Sequence, residues 1–268
     1  MSTMRAVVMD APGAPEVLRV AEVPRPTRAS AEFIVKVCAA GVNPIDAKTR
    51  AGRGVSGAIS SWPSILGNDF SGVVVESPYD AHPIKVGDEV YGMSMVPRLP
   101  GTYAEFAAVP AMSIARKPKA LSHVEAAGVP LAALTAWGAV VDVARAREGQ
   151  RVLVHAGAGG VGHFAIQFAS FFGAHVVATG STRNLEWMRE LGANEVIDHT
   201  QTRFEDDMDP VDTVIDLIGN TVDDVGTRSL QVLKPGGLIV NLPSGSWPTL
   251  ADDAASAGVR ASGFSVSP

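Results

Sequence analysis

Apolar positions between Met4 and about Val109 fall in short runs separated by turn-forming residues. The runs are Arg5-Ala-Val-Val-Met9, Val17-Leu-Arg-Val-Ala-Glu-Val23, Phe33-Ile-Val-Lys-Val-Cys-Ala-Ala40, Phe70-Ser-Gly-Val-Val-Val-Glu76, Asp88-Glu-Val-Tyr-Gly-Met93 and Thr102-Tyr-Ala-Glu-Phe-Ala-Ala-Val109. Pro24, Pro26, Pro78, Pro83, Pro97 and Pro100 lie mostly between them, a spacing that predicts an all-β region closed as a barrel. After Pro118 the pattern changes. Ser122 and Glu125 have the spacing of a capping box, in which each side chain satisfies the other's backbone N–H at a helix start. Strand 151–155, helix 160–172, strand 175–179, helix 184–191, strands 195–198 and 211–217, helix 222–232 and strand 237–241 then follow. Alternation of this kind predicts an α/β fold with a parallel, doubly wound sheet. The expected domains are 1–119 and 120–268.

The second region is organised around Arg151-Val-Leu-Val-His-Ala-Gly157-Ala-Gly159-Gly-Val-Gly162-His-Phe-Ala-Ile-Gln-Phe-Ala169, an uninterrupted strand, glycine turn and helix. Its G-x-G-x-x-G spacing suits a dinucleotide pyrophosphate. Gly157 permits the turn, Gly159 admits phosphate close to the backbone, and Gly162 lets helix pack on strand while unpaired N–H groups point at the anion. With 27 glycines in the chain the spacing alone is weak, and the flanking apolar strand and helix strengthen it. A ligand-free glycine turn is the competing reading.

Composition narrows the function classes. The 268 residues are 46% hydrophobic and 19% charged, enough for a substantial core and two modest domains. A net charge of −6 leaves no basic stripe for phosphates, so no nucleic-acid partner is expected. Cys38 is the single cysteine, which excludes an internal disulfide, and it is expected to pack as a small hydrophobe. The N-terminus lacks an apolar core of signal-peptide length, and a cytoplasmic location is expected. Ala126 to Val141 and Phe164 to Gly180 are uncharged but interrupted by Pro130 and Gly173, so both are expected in the core and no membrane partner follows. His82, His123, His155, His163, His175 and His199 are scattered without metal-ligand spacing. His155, just before the glycine turn, is expected to be a hydrogen-bonded core imidazole. Glu205-Asp-Asp-Met-Asp209 is expected as a solvated loop, and no Gly-x-Ser-x-Gly elbow signals a hydrolase.

Ala40-Gly-Val-Asn43-Pro-Ile-Asp46, Leu66-Gly-Asn-Asp69-Phe-Ser-Gly72, Val86-Gly-Asp-Glu-Val-Tyr91-Gly, Gly101-Thr-Tyr-Ala-Glu105, Pro130-Leu-Ala-Ala-Leu-Thr135-Ala-Trp137 and the glycine turn together resemble one family. It is the zinc-independent quinone oxidoreductase and alkenal (enone) reductase branch of the medium-chain dehydrogenase/reductases. The resemblance implies an N-terminal GroES-like β-barrel domain for catalysis and substrate, a Rossmann NADP-binding domain, and a substrate cleft between them. Zinc-dependent relatives carry cysteine and histidine where this chain has Asn43 and Asn68, and a four-cysteine lobe absent here, so no metal is expected. The family pattern continues past the segment matching Leu250 to Pro268 with a helix and returning strands, and there this chain departs from it.

The resemblance implies catalytic roles for Asn43 and Lys48 and substrate contacts from Ile45, Asp46, Tyr91, Tyr103 and Thr135. It implies cofactor contacts from Thr135, Gly157, Gly159, Gly160, Val161, Gly162, Thr179, Gly180, Ser181, Arg183, His199, Ile218, Asn241 and Leu242. An Asn43 amide can donate to a carbonyl oxygen, and a desolvated Lys48 ammonium can stabilise charge developing there. A turn-forming role for Asn43 and Asp46 and a solvated Lys48 are the plain alternatives. At the end of the second Rossmann strand the acid that would bind an NAD ribose is missing. Gly180-Ser181-Thr-Arg183-Asn184 stands there instead, which favours the 2′-phosphate of NADPH, although relatives carry lysine at the position of Asn184. The expected activity is metal-free hydride transfer from NADPH to a quinone or α,β-unsaturated carbonyl. The alternatives are a non-catalytic NADP-binding protein of the same fold and an enoyl-thioester reductase, the latter disfavoured by the acidic balance. Val259-Arg-Ala-Ser-Gly-Phe-Ser-Val266 reads as an exposed edge strand through which a homodimer is expected.

Overall fold

A computed structural model describes residues 2–94 and 101–264, which divide into two compact units between Leu131 and Ala132. In the first unit, β1 (Thr3–Met9), β2 (Arg19–Pro24) and β4 (Ser64–Ile65) form an antiparallel sheet in the order β2-β1-β4. A second antiparallel sheet comprises β3 (Glu32–Ala40), β5 (Asp69–Glu76), β6 (Glu89–Met93), β7 (Phe106–Pro110) and β8 (Ile114–Arg116), in the order β7-β3-β5-β6-β8. Residues 103–105 join the two. Val7 N–H donates to the Tyr103 carbonyl at 2.8 Å, Glu105 N–H to Arg5 at 3.1 Å, and Val37 N–H to Glu105 at 2.9 Å. Since side chains alternate across a strand, Phe33 and Val35, Phe70 and Val74, and Ala107 and Val109 all reach one inner face and make the barrel core.

A helix interrupts this expected all-β region. Asn43 and Pro44 start α1 (Pro44–Arg50), and Asp46, at its third position, accepts the Asn43 backbone N–H at 2.8 Å. Pro44 lacks only a donor that a helix start leaves unpaired, so the segment read as a turn becomes two helical turns. The run from Val17 opens as a tight turn at Pro15–Val17 before β2, and the run from Thr102 becomes regular strand only at Phe106. Ser122 and Glu125 form the expected capping box, with bonds of 2.8 and 3.2 Å, at the start of α2 (His123–Ala127). That helix packs on β3 and β5, which carries the first unit to Leu131, beyond the 119/120 boundary expected from the sequence.

The second unit is a six-stranded parallel sheet: β9 (Arg151–Val154), β10 (His175–Gly180), β11 (Glu195–Asp198), β12 (Val211–Asp216), β13 (Leu233–Asn241) and β14 (Arg260–Gly263). Their order is β11-β10-β9-β12-β13-β14, a Rossmann arrangement with its topological switch between β9 and β12. Both faces are buried. Val152 and Val154 of β9, Val176 and Ala178 of β10, and Val240 of β13 enter one core with α4 (Gly162–Phe171), while Leu153, Val177, Val214 and Ile239 enter the other. The near-continuous apolar strands of the sequence follow from this two-sided burial. The remaining helices are α3 (Pro130–Trp137), extended as a wider turn over Gly138–Val143, then α5 (Leu185–Glu190), α6 (Val225–Gln231) and α7 (Leu250–Ser256). Among the described residues no helix is long and apolar enough to cross a membrane.

Two expectations are corrected. Cys38 is exposed on β3 rather than packed as a small hydrophobe, because strand alternation sends Val35 inward and Lys36 and Cys38 outward. Glu205 is not solvated: its side chain is 10% exposed and it accepts both Arg228 Nη1 bonds, at 2.7 and 2.9 Å, and one from Arg203 Nε at 2.8 Å. Burial raises its pKa, and these cations outweigh burial and hold it at about 2. An acidic run in sequence cannot reveal an arginine 23 positions away on α6. Pro97 and Pro100, and the last residues of the run expected from Val259, lie outside the described residues.

Candidate functional site

The first unit brings Asn43, Ile45, Asp46 and Tyr103 to the N-terminal end of α1, while Lys48 lies in its last turn. Asn43 Nδ2 donates to Asp69 Oδ2 at 2.9 Å, so one amide hydrogen that sequence reasoning assigned to substrate is held by β5. Asp69 is fully buried and also accepts the Leu131 backbone N–H at 3.1 and 3.2 Å, at the start of α3. Burial pushes its carboxyl up to about 7, against the Asn43 and Leu131 donors, and nearby Asp46 adds to the rise. Burial likewise raises Asp46, partly offset by the Asn43 amide, the Tyr103 hydroxyl and the Gly67 amide. Burial, with the Asp46 and Asp69 charges, drives the Tyr103 phenol far above its ordinary value, so it remains a donor. Sequence reasoning quoted Asp69 only within a motif and gave it no role. An acid opening an apolar strand was the available signal. Ile45 and Lys48 are half-buried on α1, and Tyr91 is half-buried on β6.

Asn43 and Asn68, where the sequence resemblance places metal ligands in zinc-dependent relatives, are both engaged within the protein. Asn43 bonds Asp69, and fully buried Asn68 donates to Ser94 Oγ at 3.0 Å. Among the described residues no group of three or more His, Cys, Asp or Glu side chains could hold a metal ion.

In the second unit the expected cofactor residues lie at the carboxyl ends of successive parallel strands. Gly157 to Gly162 follow β9, Ser181 and Arg183 follow β10, His199 follows β11, Ile218 follows β12, and Asn241 ends β13 with Leu242 just after it. Thr135 stands apart on α3, half-buried. Backbone bonds lock the ends together: Gly157 N–H to the Thr179 carbonyl at 2.8 Å, His199 N–H to Gly180 at 3.1 Å and Leu242 N–H to Asp216 at 3.0 Å. Asp216 is a residue that sequence reasoning missed. Fully buried at the end of β12, it accepts from Ile218 N–H at 2.9 Å, Gly219 N–H at 2.8 Å and Asn241 Nδ2 at 2.7 Å, and so fixes two of the expected cofactor-binding positions. An acid closing the apolar run Val211-Asp-Thr-Val-Ile-Asp216 before glycine was its signal.

The glycine turn can be tested against a bound dinucleotide. Two of its glycines are required by the protein itself. A Cβ on Gly162 would lie 2.2 Å from the Ala156 carbonyl oxygen, and one on Gly157 would lie 2.8 Å from Met188 Sδ. Gly160 is different: it is exposed, its φ is not positive, and a Cβ there would meet nothing within 4 Å. Neither packing nor backbone conformation calls for glycine, whereas close approach of a phosphate does. Exposed Gly159 has one protein contact, a Cβ falling 3.1 Å from Ala156 O. No side chain caps α4 at Val161, leaving its N-terminus to an anion. The residues fit a dinucleotide.

Past β10, Arg183 is exposed in the turn Thr182–Asn184, and Ser181 Oγ accepts from Asn184 Nδ2 at 3.2 Å. A carboxylate does come near from the next strand. Asp198, in register with Gly180, accepts from Thr182 Oγ1 at 2.5 Å and Thr200 Oγ1 at 2.7 Å, bonds that hold its pKa below the ordinary value.

Residues 29–119 match the alcohol dehydrogenase GroES-like domain family, and residues 160–249 match the family described as zinc-binding dehydrogenase. The chain is 39% identical to a quinone oxidoreductase from Coxiella burnetii, whose structure superposes with a TM-score of 0.91 over 99% of this chain and 83% of that one. It belongs to the medium-chain dehydrogenase/reductase family. It is also 40% identical to 2-methylene-furan-3-one reductase of Solanum lycopersicum and 39% identical to the chloroplastic NADPH-dependent alkenal/one oxidoreductase of Arabidopsis thaliana. Each match covers 81% of this chain and 56% of the relative, so the chain spans little more than half the length of these curated relatives. The GroES-like barrel and Rossmann sheet expected from the sequence are both present.

A carboxyl held at about 7 makes a prediction about stability. Asp69 has an ordinary value of 3.8 and a raised native one, so its contribution is complete below about pH 4 and is lost as pH rises through 7. Asp69→Asn should therefore remove a decline in unfolding free energy on the order of 3 kcal/mol between pH 5 and 8. Denaturant titrations of both proteins at the two pH values check this, and parallel declines would refute it.

Proposed function

We propose that this protein binds NADPH and reduces a quinone or an α,β-unsaturated carbonyl compound without a metal. The observation that carries the reading is Gly160, a glycine that neither packing nor a positive φ requires and that suits close approach of a phosphate, at the uncapped N-terminus of α4. The relatives' names, quinone oxidoreductase and alkenal/one oxidoreductase, support the substrate class. When bound, the nicotinamide supplies a hydride to an electrophilic carbon of the substrate, whose oxygen takes up the electron pair and then a proton from water. The chain's own work is positioning. Backbone amides of the glycine turn hold the pyrophosphate, and Ser181 and Arg183 meet the 2′-phosphate. Lys48 stabilises the developing oxyanion, and Asn43, tied to Asp69, orients the segment from which Lys48 projects. Metal-free chemistry is supported by the two amides, Asn43 and Asn68, in place of ligands.

Following NADPH absorbance across a panel of quinones and conjugated carbonyls tests the activity, and binding without turnover on any of them would refute it. Arg183→Ala should weaken NADPH binding by roughly 1.5–3 kcal/mol and leave NADH nearly untouched. Equal affinity of the unsubstituted protein for the two nucleotides would show that the 2′-phosphate is not read there.

Lys48→Ala should lower enone turnover with NADPH affinity unchanged, since the ammonium would act only as charge develops. Turnover equal to that of the unsubstituted protein removes Lys48 from the mechanism.

We also propose a homodimer through β14, which ends the parallel sheet with one edge left for a second strand. Sedimentation equilibrium should give twice the chain mass, and a monomer across the micromolar range would overturn the pairing.

A further inference from the structure

The glycine turn opens at Ala156, whose φ of +49° is a left-handed conformation in a residue with no polar side chain to support it locally. Something else must hold it. Thr179, at the neighbouring position of β10, takes hold of two successive amides: its Oγ1 accepts from Ala156 N–H at 3.3 Å and its carbonyl accepts from Gly157 N–H at 2.8 Å. Beneath Thr179 lies His155, 1% exposed, with Nδ1 3.2 Å from Thr179 Oγ1 and Nε2 2.8 Å from Ser229 Oγ on α6.

The direction of each bond follows from counting protons. Ser229 donates its only hydrogen to the Val225 carbonyl at 2.7 Å, so its oxygen can only accept from the imidazole, and His155 Nε2 carries the hydrogen. Burial, with Arg228 acting in the same sense, lowers the imidazole to about 4 against the opposing charges of Asp216 and Glu205, so the ring is neutral. A neutral ring protonated at Nε2 offers Nδ1 as an acceptor, and Thr179 must donate to it. With its hydrogen turned toward His155, Thr179 Oγ1 has lone pairs left for the Ala156 amide. The hydroxyl is thereby oriented.

We propose that His155 is a positioning residue for nucleotide binding, acting through Thr179 to hold the Ala156 amide and the glycine turn in the conformation that receives the pyrophosphate. The inference rests on the dinucleotide reading of that turn. It assigns a task to the one histidine among the described residues that is buried below 2% exposure. The ring is further fixed by Phe204, edge-on with centroids 4.7 Å apart, whose own ring carries the Arg228 guanidinium at 4.8 Å. A line of contacts therefore runs from the Glu205–Arg228 pair to the turn.

Two readouts on the folded, nucleotide-free and nucleotide-bound protein test this. Thr179→Val, which keeps shape and removes the hydroxyl, should raise the NADPH Kd about 3–10-fold, the span of one hydrogen bond, and speed amide exchange at 156–160 without nucleotide. Thr179→Ser, which returns the hydroxyl, should recover most of both losses. His155→Phe should match Thr179→Val, and the double variant should be no worse than either single one, because both act on one line. If His155→Phe does not fold, the Val and Ser variants at 179 decide. Unchanged exchange in Thr179→Val, or an unchanged Kd, overturns the proposal, as do losses that multiply in the double variant. Failure of the unsubstituted protein to bind NADPH or NADH overturns the dinucleotide reading, and the exchange measurement, made without nucleotide, still reports separately whether the line holds the turn.

Discussion

The second unit depends on how closely α4 approaches β9. A single methyl group at Gly162 would press to 2.2 Å from the Ala156 carbonyl, so the helix start and the strand end meet at backbone contact with nothing between them. From that contact the rest follows. The first turn of α4 is brought to the carboxyl edge of the sheet, Gly157 is seated against Met188, and the turn between is left with two exposed glycines facing outward. On the face that α4 covers, the same closeness suits the small and β-branched side chains Val152, Val154, Val176 and Ala178, which fill an interval that larger ones would force open.

Much of this was legible in the sequence because it is governed by local rules. Strand–turn–helix order, the period of the apolar runs and the Ser122–Glu125 cap all depend on residues a few positions apart, and each element appears within a few residues of its expected place. What was not legible depends on pairs far apart in the chain. Glu205 reads as one of several loop acids until Arg228 packs against it, and Asp69 reads as a strand residue until Asn43 and the start of α3 close over it. Helix α1 was missed for another reason, since Asn, Pro and Asp are turn formers and helix starters alike, and only the residues after them decide which.

The candidate site residues divide in the same way. The glycines and the strand-end positions of the Rossmann unit can be named from the sequence because the dinucleotide motif carries its own spacing. Their supports are another matter: Asp216 and Ser229 have no role in the sequence reading and Thr179 enters it only as a cofactor contact, while the three act through bonds spanning 25, 74 and 23 positions. A buried polar residue must be hydrogen-bonded, so each marked a partner that the sequence does not name.

The two units handle buried polar groups differently, and the difference bears on how each responds to pH. In the Rossmann unit the buried imidazole has a donor and an acceptor already matched to its neutral form, and it is driven down to about 4, so that line does not change charge near neutrality. In the barrel unit Asp69 and Asp46 lie among amide and hydroxyl donors, and burial raises both, Asp69 to about 7 with the Asp46 charge adding to its rise. Asp69 therefore gains or loses its proton near neutrality. The proton's position then governs Asn43 as well, since a carboxylate at Asp69 holds the amide more tightly than a carboxylic acid does. Sensitivity to pH near neutrality is thus built into the unit that carries Asn43 and Lys48, while the His155 line behind the glycine turn stays insulated from it.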